Sequence, residues 1–390
     1  MMTRVLYFCG YDIALPDGPG TNELEFTRCL AKQLGKDAWC VLPEPSTPVP
    51  HLDQVNALFY SLPRLRNLPG YLASCLKLAG TIDQICSEHG IDAICARLNA
   101  LPVTLWLLQR RHGRPVFLKT LGEWWHNEPP AGLLDGLVRS LGCRLQKQVI
   151  RRALGLDVAI EGVLARAEEL LGGRERIAVI PNAANTDHFS PHAGMMEGLD
   201  LDGAWPVLGF VGTSPSLRGV REMVELLPRL LPDHPKAAVL AAGWDNGMDA
   251  VRARAEELGV AGRCRFLGWV DYAQVPRVVN AMDMCFSFFE PIRIEREGNC
   301  SQKVRQYLAC GKPVLSIRSG HDFLEEEGLG SVVDPSDLDG VERAVRAWLE
   351  RLTRDSDDVG RRLRDYAVAN LSTESTFHDR MAFWSKRLEA

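Results

Sequence analysis

The sequence predicts an α/β protein made of two Rossmann-like domains. Short apolar runs alternate with amphipathic stretches along the chain, which is typical of βα units around a parallel sheet. The 390 residues exceed what one hydrophobic core usually organises. Because 46% of the residues are hydrophobic, each half has enough apolar side chains for a core of its own.

The first domain is predicted to span residues 1–190. A helix from Thr21 to Leu34 follows its first strand. The strands are short apolar runs, predicted at Arg4 to Phe8, Ala93 to Ala96, Val116 to Lys119, Val158 to Ile160 and Ile177 to Ile180. After Phe189 the chain becomes rich in glycine and polar residues and has no regular period, which indicates a linker at about Pro191 to Ala204.

The second domain is predicted to span residues 205–372 and to repeat the same architecture. Its strands are predicted at Val207 to Val211, Ala237 to Ala242, Arg265 to Leu267, Met284 to Phe286, Pro313 to Ile317 and Ser331 to Val333. The tail, residues 373–390, has the apolar pattern of an amphipathic helix with no strand after it. We expect this helix to return toward the N-terminal domain.

Charge and cysteine content narrow the functional classes. A net charge of -5 and a pI near 6.0 argue against nucleic acid as a partner. The 11 cysteines have no C-x-x-C pair, so they fit neither a disulfide framework nor a zinc ribbon. With no apparent signal peptide or membrane span, a cytoplasmic protein is expected. The basic stretch Arg139 to Arg152 is either a solvated helix face, which is favoured, or a peripheral contact with the inner face of the membrane.

Two loops that follow predicted strands contain small residues and lead into helices. In GPGTNE, Gly18, Gly20 and Thr21 would bring backbone amides close to an anion, although Gly-Pro-Gly is also an ordinary turn. In the loop after Val211, Gly212 and Thr213 precede Arg218 at a helix start. An arginine there is either a surface residue or a ligand for phosphate. A further segment, IPNAANTDHF, lies where the first domain ends.

The most specific motif is NCSQKVRQYLACGKPVLS, in which a polar loop opens a helix that leads into a strand. Ser301 is predicted to cap this helix, and Gly311 is predicted to end it. The free amides near the helix start would face an anion. The three residues in this loop that we select as ligand-binding candidates are Asn299, Cys300 and Ser301. Lys303 is either a solvated first-turn lysine or a cation for that anion.

In this order, the four elements resemble the retaining glycosyltransferases of family four, which have the GT-B fold of two Rossmann-like domains facing across a cleft. Thr213 stands where the family has a phosphate-binding arginine, and Arg218 stands where it has a lysine. Gln306 stands where the family commonly has a ribose-binding glutamate. The segment FLGWV, with Trp269 and Val270, matches a family segment near the nucleotide base. Three glutamates compete for the family's first acidic position, namely Glu290, Glu295 and Glu297.

The resemblance implies transfer of a sugar from a nucleoside-diphosphate sugar to an acceptor. The nucleoside is expected to be uridine or guanosine. The acceptor is expected to be a glycan, a lipid-linked molecule or a small molecule. It implies retention of anomeric configuration and no cofactor beyond the donor. Without a D-x-D motif, fixed cations are expected to replace a metal ion. The predicted catalytic residues are Arg218, Lys303, Glu290 and Glu297. An inactive nucleotide- or glycan-binding module and a nucleotide-sugar epimerase are the alternatives.

Overall fold

The computed structural model describes residues 4–15, 17–63, 68–97, 101–120, 133–289, 300–318 and 320–390. The chain divides into two compact units. The first comprises Met1–Pro181 together with Thr376–Ala390, and the second comprises Asn182–Ser375.

The first unit contains a seven-stranded parallel sheet in the order β3-β2-β1-β4-β5-β6-β7. Its strands are β1 Val5–Phe8, β2 Ala38–Pro43, β3 Asn56–Tyr60, β4 Ala93–Arg97, β5 Val116–Thr120, β6 Gly155–Val158 and β7 Ile177–Val179. Its helices are α1 Gly18–Leu34, α2 Leu68–His89, α3 Pro102–Arg110, α4 Leu133–Arg151 and α5 Leu164–Leu171. The strand order reverses between β1 and β4.

The second unit contains a six-stranded parallel sheet in the order β10-β9-β8-β11-β12-β13. Its strands are β8 Val207–Val211, β9 Ala238–Ala242, β10 Cys264–Phe266, β11 Met284–Ser287, β12 Val314–Ser316 and β13 Gly330–Val332. The helices are α6 Val220–Leu230, α7 Met248–Glu257, α8 Val275–Asn280, α9 Gln302–Ala309, α10 Phe323–Glu326, α11 Leu338–Asn370 and α12 Thr373–Glu389. From Thr376 onward, α12 belongs to the first unit.

Both sheets have the doubly wound order of a Rossmann fold, which confirms the predicted fold class. In such sheets, ligands bind outside the carboxyl ends of the strands, where the strand order reverses. These positions are the β1/β4 edge in the first unit and the β8/β11 edge in the second. Within the described ranges, no helix combines the length and the apolarity needed to cross a bilayer.

Some elements differ from the sequence-based expectation. The strands β2 and β3 were not predicted, and β6 begins three residues before the predicted Val158. The segment 182–190, expected to close the first domain, belongs to the second unit. Hydrogen bonds explain this assignment, because Ala184 N donates to Leu371 O and Thr373 N donates to Ala184 O, which attaches the segment to the end of α11.

The C-terminal helix α12 completes the core of the first unit, as expected. Trp384 is fully buried, and its indole stacks on the ring of Phe117 at a centroid distance of 5.5 Å. Nearby, Arg380 Nε donates to Asp157 Oδ2 over 2.5 Å, and both side chains are buried. The charge pair links α12 to β6, so a buried carboxylate in the middle of a strand has its counter-ion 223 residues later in the chain.

Replacing Trp384 with alanine should therefore destabilise the first unit strongly. Truncating a buried tryptophan typically costs about 3 to 5 kcal/mol, because packing is lost and a cavity remains. We expect a lower denaturation midpoint in urea for Trp384→Ala and a smaller shift for Trp384→Phe. Lys386→Ala, on the exposed face of the same helix, is the control and should leave the midpoint unchanged. Equal midpoints for Trp384→Ala and the parent protein would contradict the docking of α12.

Candidate functional site

The loop after β8 and the first turn of α9 meet at the β8/β11 edge of the second sheet. Gly212 follows β8 with a φ of +140°, a conformation that side chains rarely adopt. A Cβ atom at this position would lie 1.8 Å from Cε of Lys303. Only glycine therefore allows the Lys303 side chain to lie against this loop.

Tyr307 fixes the position of α9 relative to β8. Its hydroxyl accepts a hydrogen bond from Val211 N at 2.8 Å and donates one to Val211 O at 3.1 Å. The Tyr307 side chain is buried, together with those of Val304 and Leu308 on the same helix. These contacts hold the first turn of α9, and Lys303 with it, at the end of β8.

Arg218 brings a second cation to the same edge. Its carbonyl accepts a hydrogen bond from Phe288 N at 3.2 Å, which joins the β8 loop to the end of β11. The guanidinium lies 4.2 Å from the centre of the Phe289 ring. Burial, and then the positive charge of Arg218, lower the pKa of Lys303 to about 7. Among the residues that the structure describes, no carboxylate forms an ion pair with Lys303.

The structure thus brings together four predicted site residues, namely Gly212, Thr213, Arg218 and Lys303. A buried ammonium such as that of Lys303, which has no carboxylate partner among the described residues, is unfavourable unless an anion binds beside it. A diphosphate would supply such an anion. The arrangement can therefore bind a phosphate group and stabilise negative charge that develops on it.

The polar loop before α9 contacts the IPN segment. Asn182 Nδ2 donates to Cys300 O at 2.7 Å, and Asn182 N donates to Cys300 Sγ at 3.0 Å. Ser301 occupies the N-cap position of α9, as predicted, but its side chain makes no capping hydrogen bond. Instead, the Ser301 carbonyl accepts from Arg305 Nη1 at 2.9 Å. The predicted end of the helix is confirmed, since Gly311 follows α9 with a φ of +72°.

Gln306 lies on α9, about one turn after Lys303. Its side chain is 9% exposed, so it is nearly buried but still reaches the surface. No hydrogen bond to its side-chain amide is present among the described residues. The amide is therefore available to a ligand hydroxyl, and its position beside a ribose stays a prediction.

A buried network behind α9 was not predicted from the sequence. Ser316 Oγ donates to Ser287 O at 2.8 Å and lies 2.7 Å from His321 Nδ1. Because the Ser316 hydroxyl proton is donated to Ser287 O, the hydroxyl oxygen accepts a hydrogen bond from His321 Nδ1. His321 Nε2 then carries no proton and accepts from Arg305 Nη1 at 3.4 Å. Burial and Arg305 lower the pKa of His321 well below its ordinary value. His321 is therefore a neutral residue that positions Arg305, and Arg305 holds the carbonyl of Ser301.

The carboxyl ends of β9 and β10 lie beside the Gly212 loop. Gly243 N donates to Gly268 O at 2.6 Å, and a Cβ atom at Gly243 would lie 1.9 Å from Gly212 O. The predicted base-binding residue Trp269 follows Gly268 and is largely exposed, whereas Val270 packs against the hydrophobic core. The loops that contain Gly212, Gly243 and Gly268 thus pack closely through their backbones and form this part of the edge.

In the first unit, Asp17 caps the start of α1. Its Oδ1 accepts from Gly20 N at 2.7 Å, and its carbonyl accepts from Thr21 N at 2.9 Å. A Cβ atom at Gly20 would lie 2.2 Å from Leu15 O, so the packing of the preceding turn is enough to require glycine there. The phosphate-binding role of Gly18, Gly20 and Thr21 stays a prediction, and two of the three amides already have acceptors.

A buried charge cluster at the same edge of the first unit was also not predicted. Glu23 on α1 is fully buried and lies 3.0 Å from Lys119 Nζ on β5. Arg97 on β4 lies 3.6 Å from the other carboxylate oxygen, and the Tyr7 hydroxyl donates to Glu23 Oε2. Burial alone would raise the pKa of Glu23, but the two cations lower it. Sequence patterns do not reveal this cluster, since Lys119 lies 96 residues after its partner Glu23.

Three predicted site residues lie outside the described residues, namely Glu290, Glu297 and Asn299. Among the residues that are described, no three histidine, cysteine, aspartate or glutamate side chains are grouped so that they could hold a metal ion. Lys303 and Arg218 bring positive charge to the described part of this edge.

Comparisons with known proteins agree with this architecture. Residues 18–183 match the family described as glycosyl transferase 4-like domain, and residues 205–351 match glycosyl transferases group 1. The chain is 26% identical over 275 residues to D-inositol 3-phosphate glycosyltransferase of Corynebacterium jeikeium, a match that covers 65% of this chain and 62% of that protein. It is 25% identical over 242 residues to 2-deoxystreptamine glucosyltransferase of Streptomyces kanamyceticus, covering 57% and 61%. The chain thus spans about three fifths of the length of these curated relatives.

Solved structures show the same fold. HepE of Anabaena in complex with UDP is similar with a TM-score of 0.69 and 16% identity, over 98% of this chain and 100% of that one. A glycosyltransferase from Rickettsia africae is similar with a TM-score of 0.72 and 13% identity, over 99% of each chain. These likenesses confirm the predicted GT-B fold. Both halves of the chain thus match glycosyltransferase family models, a glycosyl transferase 4-like domain followed by glycosyl transferases group 1.

Proposed function

We propose that the protein transfers a sugar from a nucleoside-diphosphate sugar to an acceptor hydroxyl, with retention of anomeric configuration and without a divalent metal ion. The observation that carries this proposal is the approach of Lys303 and Arg218 beside the Gly212 loop, at the point where the strand order reverses. The relatives are named as glycosyltransferases, and retention rests on the resemblance to family four.

The two cations would act on the leaving group. As the bond between the sugar and the diphosphate breaks, negative charge builds on the diphosphate oxygens. Positive groups fixed near those oxygens stabilise this charge more than they stabilise the bound donor, which lowers the barrier. Because Lys303 and Arg218 are held by α9 and by the end of β11, they can do this without a metal ion.

The donor proposed is a UDP- or GDP-sugar. One solved structural relative, HepE, contains UDP. In this chain, Gln306 would bind the ribose and the Trp269 segment would lie near the base, with Cys300 and Ser301 close to the phosphates. The acceptor is proposed as a glycan, a lipid-linked molecule or a small molecule. The cytoplasmic location and the peripheral membrane contact through residues 139–152 stay predictions.

A turnover assay tests the proposed reaction directly. When candidate UDP- and GDP-sugars are screened without an acceptor, the purified protein should slowly release UDP or GDP from its own donor. Adding the acceptor that the protein uses should speed this release. Turnover should persist in EDTA, and NMR of the product should show the anomeric configuration of the donor. Loss of turnover in EDTA with recovery in Mg²⁺ or Mn²⁺ would contradict the metal-independent mechanism. Epimerised donor, or binding with no turnover, would contradict transfer itself.

Gln306→Ala should weaken donor binding if the Gln306 amide binds the ribose. A neutral hydrogen bond contributes about 0.5 to 1.5 kcal/mol, so the dissociation constant should rise a few-fold to about tenfold. Gln306→Glu should retain or improve affinity, because a carboxylate accepts hydrogen bonds from the ribose hydroxyls more strongly. Calorimetric titration of the three proteins checks this, provided that their melting temperatures agree. Equal affinities would show that Gln306 does not face the ribose.

Donor binding should depend on pH through Lys303. In the unliganded protein the pKa of Lys303 is lowered to about 7, by burial and by Arg218. A bound diphosphate favours the charged ammonium and raises this pKa, so binding takes up a proton in the range between the two values. Affinity should therefore fall as the pH rises from 7 to 8.5, by at most about tenfold per pH unit.

Lys303→Arg is the matched control for this pH dependence, because arginine stays protonated throughout the range. Its affinity for UDP or GDP should change little between pH 7 and pH 8.5. Calorimetry in buffers with different ionisation enthalpies should show proton uptake for the parent protein and none for the variant. The same pH profile in both proteins would show that Lys303 does not titrate on binding.

A further inference from the structure

Arg305 on α9 is a buried cation to which neither the sequence motifs nor the proposed function gives a role. The residue is 3% exposed, and its guanidinium lies 5.5 Å from the centre of the Phe323 ring. Among the residues that the structure describes, no carboxylate forms an ion pair with it, and its Nε has no hydrogen-bond partner. A buried charge costs free energy, and an apolar side chain of similar volume is often at least as stable. Packing alone therefore does not explain an arginine here.

The guanidinium of Arg305 holds one carbonyl at the start of its own helix. Nη1 donates to Ser301 O at 2.9 Å. Ser301 is the N-cap residue of α9, and the carbonyl of an N-cap residue also accepts the first hydrogen bond within the helix. The Ser301 carbonyl and the Gln302 amide belong to one planar peptide group and point in opposite directions. By fixing the carbonyl, Arg305 therefore fixes the direction of the Gln302 N–H.

The preceding peptide group is held in the same way. Asn182 Nδ2 donates to Cys300 O at 2.7 Å, so the Ser301 N–H points away from Asn182. Within the described residues, no side chain caps α9 and no backbone carbonyl accepts from Ser301 N or Gln302 N. Two consecutive amides are thus held from their carbonyl sides and left open on the other side. Successive backbone amides can form a concave site for an anion.

Arg305 is itself held by a chain of buried groups. Its Nη1 lies 3.4 Å from His321 Nε2, and His321 Nδ1 lies 2.7 Å from Ser316 Oγ. Ser316 Oγ donates in turn to Ser287 O, the last residue of β11. His321 and Ser316 are completely buried. Neither side chain can touch a ligand in the cleft, so any effect that they have on the donor passes through Arg305.

We propose that Arg305, held by His321, is a positioning residue for sugar transfer that keeps the amides of Ser301 and Gln302 directed at the leaving diphosphate. This inference rests on the proposed function and adds residues that act from behind the helix. Negative charge on the diphosphate grows as its bond to the sugar breaks. Amides that already point at it stabilise the transition state more than the bound donor. Misdirected amides should therefore lower kcat more than they raise the KM for the donor.

Steady-state kinetics of the intact chain test this inference, with the UDP- or GDP-sugar that the turnover screen identifies. Arg305→Met keeps most of the side-chain volume and removes every N–H donor. Its kcat should fall by about 10- to 100-fold, the cost of a small displacement of groups that act on the transition state, while KM changes only a few-fold. Arg305→Lys can still donate to Ser301 O and should recover much of the kcat.

Variants of His321 test the chain behind Arg305. His321→Phe removes the acceptor for Arg305 and should lower kcat, with KM again nearly unchanged. His321→Gln keeps an acceptor oxygen and should retain more of the kcat than His321→Phe does.

Arg364→Met is the matched control, because Arg364 also holds backbone carbonyls but does so at the opposite end of α9. It donates to Ala309 O at 2.8 Å and to Thr186 O at 2.7 Å. These bonds stabilise the fold and do not fix the amides of the first turn. Arg364→Met should therefore lower the melting temperature and leave the kcat of the folded protein unchanged.

The outcomes separate this inference from the proposed function. If Arg305→Met and the parent protein have the same kcat, the inference is overturned and the proposed function stands. If the kcat of Arg305→Met falls no further than that of Arg364→Met, Arg305 has a purely structural role and the inference is again overturned. If Arg305→Met does not fold, His321→Phe decides, since an unchanged kcat overturns the inference and a lowered kcat at unchanged KM supports it. If the parent protein turns over no donor, the proposed function fails and the inference fails with it.

Discussion

The constraint on which the β8/β11 edge of the second unit depends is the burial of the Lys303 ammonium. Burial, and then the positive charge of Arg218, lower the pKa of Lys303, and this lowered pKa is the sign that keeping the ammonium charged there costs free energy. The fold tolerates it because other contacts fix both residues. Tyr307 ties α9 to the end of β8, and the hydrogen bond from Phe288 N to Arg218 O ties the β8 loop to β11. An anionic ligand would turn this local cost into affinity.

The same constraint explains the glycines around it. Gly212 makes room for the Lys303 side chain, and Gly243 makes room for the Gly212 carbonyl. A side chain at Gly212 would displace the Lys303 side chain, and a side chain at Gly243 would displace the Gly212 backbone. The edge of the sheet is therefore mainly backbone, with side chains reaching it from α9 and from the residues after each glycine. Such an edge can bring amides and cations close to phosphate oxygens, which a layer of side chains would keep away.

The sequence predicted most of the parallel strands because each is a short apolar run next to an amphipathic helix. It missed β2 and β3, whose apolar residues have no alternation to distinguish them from buried helix segments. It placed β6 late because Asp157 looks like a surface residue until Arg380 is brought beside it. Motif order was enough to place Gly212, Arg218 and Lys303 in one site. It could not reveal the His321 network or the Glu23 cluster, whose partners meet only through tertiary folding.

The two units differ in whether the buried cations at the sheet edge have a carboxylate partner. At the β1/β4 edge of the first unit, Glu23 lies between Lys119 and Arg97, so the cations there already have a carboxylate. At the β8/β11 edge of the second unit, Lys303 has no such partner among the described residues. An added anion would gain less at the first edge, where it would compete with Glu23. The β8/β11 edge is therefore the one at which a bound anion would gain more free energy.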